Sequence, residues 1–292
     1  MKKTILLTGS TGYLGSYLAK ALVAKGHKLI ILKRKNSSLL QIESIVQMIT
    51  LYNIENLDYS IPFTAHGKID AVIHTATCYG RNGETLSEIF EANTSFPLRL
   101  MDAAKAAGVG IFINSDTILD KYVNLYSLSK SQLLEWGKFF CMYNKMFFIN
   151  MRLEHFYGPG DTESKFTTHV INSCMRNVPE LELTFGEQIR DFIYIDDVVS
   201  AYLIVLDKVK GFSDFFNEFD VGSGKALSIK KFVEKVHQIT DSQTYLAFGR
   251  APYRTGEVMS SHANIDPLLK LVWFCKTNLE EGLKLVIEGY KK

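Results

Sequence analysis

The sequence predicts a doubly wound α/β protein: a parallel sheet covered by helices, followed by a smaller C-terminal lobe. Three observations carry this. Short apolar runs of strand length alternate with longer helix-period segments through the first half of the chain. Those runs are apolar throughout rather than every second residue, as strands buried on both faces are. A glycine-rich turn lies directly between the first run and the first helical segment.

Taken in order, residues 3–8 form the first strand, 13–24 the first helix and 28–32 the second strand. A third strand falls near 48–52. Residues 71–75, 110–114 and 146–151 supply three more, with helices near 86–107 and 128–143 between them. After YGPGD (residues 157–161) helices continue at 166–176, 196–209, 228–238 and 279–288, but regular alternation ends. The C-terminal part therefore reads as a lobe roofing the carboxyl edge of the sheet, where open parallel sheets bind ligands.

Bulk properties exclude several classes. A chain of 292 residues is comfortable for two lobes. With 47% hydrophobic and 22% charged residues it has the balance of an ordinary soluble globular protein. A formal net charge of +2 gives no reason to expect nucleic acid or an anionic membrane as partner. The opening MKKTILLTGS has the look of a signal peptide, but its apolar run, residues 5–7, is too short. No stretch approaches the roughly 20 apolar residues of a membrane helix. Cys78, Cys141, Cys174 and Cys275 are scattered without a CxxC pair, and the histidines are dispersed. We expect reduced cysteines, no metal site and a cytoplasmic protein.

The turn TGSTGYLG places Gly9, Gly12 and Gly15 after a strand and at the start of a helix. A pyrophosphate needs this combination: a tight turn, backbone free of side chains, and helix N–H groups facing the anion. Thr11, Tyr13 and Leu14 complete the candidate cofactor loop, and a glycine turn without ligand is the plain alternative. The first 160 residues then form a Rossmann-type dinucleotide-binding domain, to which a strand and helix near 187–210 return. Residues 161–292 form mainly a substrate-binding lobe. Where NAD-binding folds place an acid for the ribose 2′-OH, this chain has Lys33, Arg34 and Lys35. Arg34 can clasp a 2′-phosphate, with Ser37 or Ser38 donating hydrogen bonds, so NADP(H) is expected ahead of NAD(H).

INSDT ends the fifth strand and puts Ser115 at its tip; Tyr126 and Lys130 follow, four residues apart on one helix face. Such a trio supports carbonyl reduction. The tyrosine protonates the carbonyl oxygen as hydride arrives at carbon, and the serine holds the same oxygen. The lysine would hold the nicotinamide ribose and lower the tyrosine pKa from about 10 toward neutrality.

With these residues the chain resembles the extended short-chain dehydrogenases, the nucleotide-sugar epimerase/dehydratase/ketoreductase group, over nearly its whole length. The carrying stretches are TGSTGYLG, DAVIHTAT, EANTSFPLRLMDAA, NSD, YSLSK, MRLEHFYGPGD, GEQIRDFIYIDDVVSAYL and YRTGEV. The resemblance implies that Thr75, Ala76 and Asn93 belong to the cofactor site, Asn93 supporting the active-site strand, and that Arg190 and Arg254 neutralise the substrate pyrophosphate. It also implies a homodimer formed through the helices at 86–107 and 128–143. Dehydratases of this group follow the catalytic Ser/Thr with Asp-Glu; here Asp116 is followed by Thr117, which argues against dehydration. The basic turn argues against an NAD-retaining 4-epimerase. A 4-ketoreductase consuming NADPH fits, and MRLEHFYGPGD resembles bacterial CDP-abequose and CDP-paratose synthases, which reduce CDP-4-keto-3,6-dideoxyglucose for O-antigen. That subgroup makes Thr77, Tyr79, Glu154 and His155 candidates for the sugar pocket. The segment between Ser115 and Tyr126 is shorter than in most members. A 4-epimerase and a non-catalytic NADP-binding sensor or scaffold are the alternatives; bound NAD after purification would mark the first, and the second usually lacks the tyrosine or lysine, both of which this chain keeps.

Overall fold

The computed structural model describes residues 1–254 and 256–290. It contains two compact units, Met1–Arg152 with Tyr202–Phe219, and Leu153–Ala201 with Asp220–Lys292. Strands and helices are numbered in chain order across both.

The first unit is organised by a seven-stranded sheet. Its members are β1 (Thr4–Thr8), β2 (Lys28–Lys33), β3 (Ile49–Asn53), β4 (Ala71–His74), β5 (Ile111–Thr117), β6 (Phe147–Leu153) and, later in the chain, β10 (Phe216–Val221). The spatial order is β10-β6-β5-β4-β1-β2-β3, and β3, β2, β1, β4 and β5 pair in parallel. Succession runs outward one way from β1 to β3 and the other way from β4 to β6. The carboxyl ends of β1 and β4 therefore flank the point where a doubly wound sheet opens a crevice.

Ile5–Leu7 of β1, Leu29–Leu32 of β2 and Ala71–Ile73 of β4 are all buried, which explains their unbroken apolar sequences. Helix α1 (Tyr13–Ala24) buries Leu14, Leu18 and Leu22. A short α2 (Ser60–His66) adds Phe63 to the core. The ring of Phe112 stacks on that of Phe148 with centroids 5.9 Å apart, and Phe148 stacks in turn on Phe216. Offset ring stacks of this kind add to what burial alone contributes.

The expected helix over 86–107 is interrupted. It consists of α3 (Leu86–Phe90), a π-helical turn at Glu91–Ser95, and α4 (Phe96–Ala106). Pro97 has no N–H to give the Asn93 carbonyl, and the Phe96 N–H bonds the Glu91 carbonyl five residues back. Helix α5 (Leu125–Tyr143) begins at a reciprocal cap between Asn124 and Ser127.

Among the described residues the second unit holds five strands; the sequence reading expected one of them, near 187–210, and left the other four unresolved. They are β7 (His155–Tyr157), β8 (Glu180–Leu183), β9 (Ile189–Tyr194), β11 (Ala226–Ser228) and β12 (Tyr245–Phe248). Strand β9 pairs parallel with β7 and antiparallel with β11, while β8 and β12 form a parallel pair. Three or four residues are too few to display a period, so β7, β8, β11 and β12 leave no pattern to read, whereas the six-residue β9 is the strand expected near 187–210. Helices α6 (Phe166–Met175) and α8 (Ile229–Thr240) lie here, and the Phe232 ring of α8 stacks on Phe192 at 4.2 Å. Helix α7 (Ile195–Lys208) starts in the second unit and ends in the first. Helices α9 (Asp266–Lys270) and α10 (Leu279–Tyr290) close the described chain.

Two carboxylates of the motif IRDFIYIDDV anchor the second unit. Asp191, with no exposure, accepts from the N–H groups of Ser223 and Gly224. Asp197 accepts from the N–H groups of Lys276 and Thr277 at 3.0 and 2.9 Å. Removing such an acceptor leaves backbone donors without partners. Asp197→Ala should lower stability by about 1–3 kcal/mol, read as a lower urea midpoint for the second unit. An unchanged midpoint would show that water replaces the carboxylate.

Candidate active site

The phosphate loop has the geometry its glycines suggest. Gly9 sits at φ 74°, and a Cβ there would lie 2.5 Å from the Ala76 nitrogen. A Cβ on Gly15 would lie 2.1 Å from the Gly9 carbonyl oxygen. The turn closes through the Gly12 N–H to the Gly9 carbonyl at 2.9 Å. Gly12 then caps α1 without a side chain to occupy the helix's opening N–H groups. Tyr13 and Leu14 are buried, so they present backbone rather than side chain, and Thr11 is half-buried. The Ser10 hydroxyl is buried with no partner among the described residues. A bare backbone cradle, a helix N-terminus and an unspent hydroxyl fit the pyrophosphate of a dinucleotide. Thr75 and Ala76 are held against this loop, the Thr75 hydroxyl donating to the Thr8 carbonyl at 2.8 Å.

The basic turn after β2 is less available than its sequence suggests. The Lys33 ammonium folds back onto the carbonyls of Arg34 and Lys35, at 3.0 and 3.1 Å. Glu55, just beyond β3, accepts the Lys35 N–H on both carboxylate oxygens. Of the two residues expected to meet the cofactor, Lys33 is spent on its own turn. Arg34 lines a groove of 620 Å³ together with Leu57, Asp58, Tyr59 and Arg99.

Ser115, Tyr126 and Lys130 all belong to the first unit. Lys130 is buried, and its Nζ donates to the main-chain carbonyl of Ser115 at 2.9 Å, tying α5 to β5. Burial lowers the Lys130 pKa from 10.5 to about 8, with nearby Asp116 pulling the other way. Tyr126 differs from expectation. Burial, then Tyr79 and Asp116, push its hydroxyl well above 10, countered by a hydrogen bond with Thr117. Lys130 directs its ammonium at the serine carbonyl and does not lower the tyrosine in the protein alone. The side chain of Ser115 is equally committed: its Oγ accepts from the Tyr202 hydroxyl at 2.7 Å.

Beside the trio runs a row of polar side chains that sequence reasoning missed. Asn150 of β6 accepts from Asn114 of β5 at 2.8 Å and donates to Asp116 and Glu218 at 2.8 and 2.9 Å. Arg152 pairs with Glu218. Asp116 is buried, which raises its pKa, and the Asn150 bond and the Lys130 charge oppose that rise. An alternation of polar residues within INSD and INMR was the only available signal, and it does not say which face they share or with what.

Asn93 spends its amide on the protein. Its amide oxygen accepts from the Cys78 N–H and Thr77 hydroxyl, and its nitrogen donates to the Cys78 carbonyl and the Ser129 hydroxyl, at 2.7 to 3.2 Å. Two acceptor and two donor positions are all an amide has, so Asn93 keeps nothing for a cofactor. It clips the loop after β4 to α5 and thereby supports the strand end. On that loop, Tyr79 packs its ring against Tyr126 with centroids 5.0 Å apart, and the Arg81 guanidinium lies 5.1 Å from the Tyr79 ring. Thr77 spends its hydroxyl on Asn93.

The remaining candidates lie in the second unit. Glu154 is buried between the His155 Nδ1, at 3.0 Å, and the Ser261 hydroxyl. Arg190 is buried and paired with Glu257 at 2.7 Å, with a second bond to the Ile189 carbonyl. Arg254 is exposed. Of the two arginines expected at a substrate pyrophosphate, one is therefore already neutralised within the unit and the other stands in solvent.

Comparison with known proteins agrees with this architecture. Residues 5–217 match the NAD dependent epimerase/dehydratase family. A CDP-abequose synthase from Salmonella muenchen is 34% identical, the alignment covering 98% of either chain. Another from Salmonella typhimurium is 31% identical over 99% of this chain and 98% of its own. A UDP-glucose 4-epimerase from Thermotoga maritima, solved with UDP-glucose, superposes with a TM-score of 0.87 at 23% identity, covering 99% of this chain and 98% of that one. At that identity the superposition speaks to the fold. Loop, trio and matched length together make the chain a member of the NAD dependent epimerase/dehydratase family, an extended short-chain dehydrogenase/reductase similar to bacterial CDP-abequose synthases.

Proposed function

We propose that the protein is a cytoplasmic NADPH-dependent reductase that acts on the C4 ketone of a nucleotide-diphosphate 4-keto-6-deoxy or 3,6-dideoxy sugar. CDP-4-keto-3,6-dideoxyglucose is the first substrate to test, in a route to polysaccharide sugars. The observation that carries this reading is the buried Lys130–Ser115 bond, which brings the ends of α5 and β5 together beside Tyr126. The 34% identity to a CDP-abequose synthase supports the sugar.

The roles follow from protonation. Burial keeps the Tyr126 hydroxyl protonated at neutral pH, which suits a proton donor; an alkoxide is a far stronger base and takes that proton readily. Ser115 donates a hydrogen bond to the same oxygen. Lys130, charged below about pH 8, holds the Ser115 end of β5 beside Tyr126 and would take the nicotinamide ribose when the cofactor is bound. The nicotinamide cofactor, when bound, supplies the hydride. Dehydration is disfavoured because Thr117 follows Asp116 where dehydratases of this group carry a glutamate. We read Arg34 as the contact for a 2′-phosphate, and Arg190 and Arg254 as substrate contacts on the second unit.

Purified protein should oxidise NADPH with CDP-4-keto-3,6-dideoxyglucose and lose at least 100-fold in kcat as Tyr126→Phe. Arg34→Ala should narrow the preference for NADPH over NADH. Absence of turnover with this sugar and its dTDP and GDP counterparts, or full activity of Tyr126→Phe, would refute the reading; NAD retained through purification would point to an epimerase.

A pH profile gives an independent check. Lys130 loses its charge as pH rises through about 8, so kcat should fall on that side. For stability the sign is opposite. Between about 8 and 10.5 the unfolded chain holds the lysine proton and the folded chain does not, so stability rises with pH across that window. Below it the buried charge costs on the order of 3 kcal/mol. Lys130→Met should therefore be inactive yet melt no lower than wild type at pH 7; a lower melting temperature would show that the Ser115 bond outweighs the desolvation.

We also propose a homodimer through α4 and α5. Trp136, Phe139 and Tyr143 are 53%, 53% and 73% exposed beside a hollow of 650 Å³ that Leu98 and Met101 help to line. Exposed aromatics so clustered mark an interface. Sedimentation should give a dimer for wild type and a monomer for Phe139→Glu; a monomeric wild type would refute it.

A further inference from the structure

Ser115 has one proton and two lone pairs, and the fold restricts where they can go. Its carbonyl is fixed by the Lys130 ammonium at 2.9 Å, so the residue as a whole does not shift along β5. Its hydroxyl oxygen lies 2.7 Å from the hydroxyl of Tyr202, a residue of α7 with no solvent exposure that is 87 positions away in sequence. A phenol is the more acidic of the two hydroxyls and the better donor. The tyrosine proton therefore lies on the Tyr202–Ser115 line, and the serine proton must point elsewhere.

We propose that Tyr202 is a positioning residue for the reduction. By donating to Ser115 Oγ it commits the serine proton to the ketone oxygen of the substrate. This rests on the reductase reading above. Tyr202 gives up no proton: burial and nearby Asp116 raise its pKa far beyond neutrality, so it remains a donor throughout. As charge develops on the ketone oxygen, the serine-to-oxygen bond strengthens and draws on the tyrosine-to-serine bond behind it. The gain is greatest in the transition state, so its loss appears in kcat rather than KM.

The test is a double-mutant cycle with NADPH and the CDP-4-keto sugar. Tyr202→Phe keeps the ring and removes the donor; kcat should fall about tenfold, with KM for the sugar and Kd for NADPH within twofold. Ser115→Ala should cost about 100-fold, and adding Tyr202→Phe to it should cost nothing more, because the tyrosine then has nothing to act through. Tyr202→His, which restores an N–H donor, should recover part of the kcat lost in Tyr202→Phe, and it serves as the second variant if the phenylalanine protein folds poorly. Full activity of Tyr202→Phe, equal activity of the Phe and His variants, or independent losses in the double variant would overturn the assignment alone. A wild-type protein that turns over no keto sugar would overturn the reductase reading and this assignment with it.

Discussion

A buried ammonium governs the first unit. Lys130 is surrounded by protein, yet the hydrogen bond its ammonium makes among the described residues is to a neutral carbonyl, that of Ser115. A charge so placed is costly unless something opposite stands near it, and Asp116, the residue after Ser115, is the near carboxylate. That carboxylate is itself buried and needs donors, which Asn150 and the Thr117 N–H provide. Asn150 in turn draws in Asn114 and Glu218, and Glu218 draws in Arg152. Strands β5, β6 and β10 thus contribute polar side chains where apolar ones would pack more cheaply. The row of polar residues is the consequence of holding one charge beside one serine.

The same logic explains the interrupted helix before α4. Asn93 must reach both the loop after β4 and Ser129 of α5. It lies within the π-helical turn, where Pro97 has already removed one regular backbone bond. The wider turn joins the loop bearing Tyr79 and Arg81 to the helix bearing Tyr126 and Lys130. Tyr79 then rests on Tyr126, which helps dehydrate the hydroxyl and keep it protonated. Backbone irregularity, loop placement and tyrosine protonation form one causal chain.

Much of this was legible from residues alone. Parallel strands buried on both faces write long apolar words, and glycines at a strand–helix junction have few other uses, so the sheet and the phosphate loop could be read directly. Tyr126 and Lys130 could be paired because helical spacing is local. The short strands of the second unit could not be read, since three residues hold no period. The π-helical turn was hidden because one helical period runs over 86–107, and Pro97 in its middle signals a break without giving its form. Lys33 and Asn93 show why residue type alone does not establish a ligand contact: their hydrogen bonds are made to neighbouring backbone and side chains, which no local pattern records.

What the sequence determined by itself was the sheet, the cofactor loop and the identities of the serine, tyrosine and lysine, because each is encoded within a few consecutive residues. Only the tertiary structure decided their electrical state and orientation. Lys130 is held near a pKa of 8 and Tyr126 far above 10 by burial, and burial is a property of the whole unit. Ser115 is aimed by a tyrosine 87 residues distant. Desolvation and long-range hydrogen bonds depend on what folding brings together, and no local pattern in the chain records that.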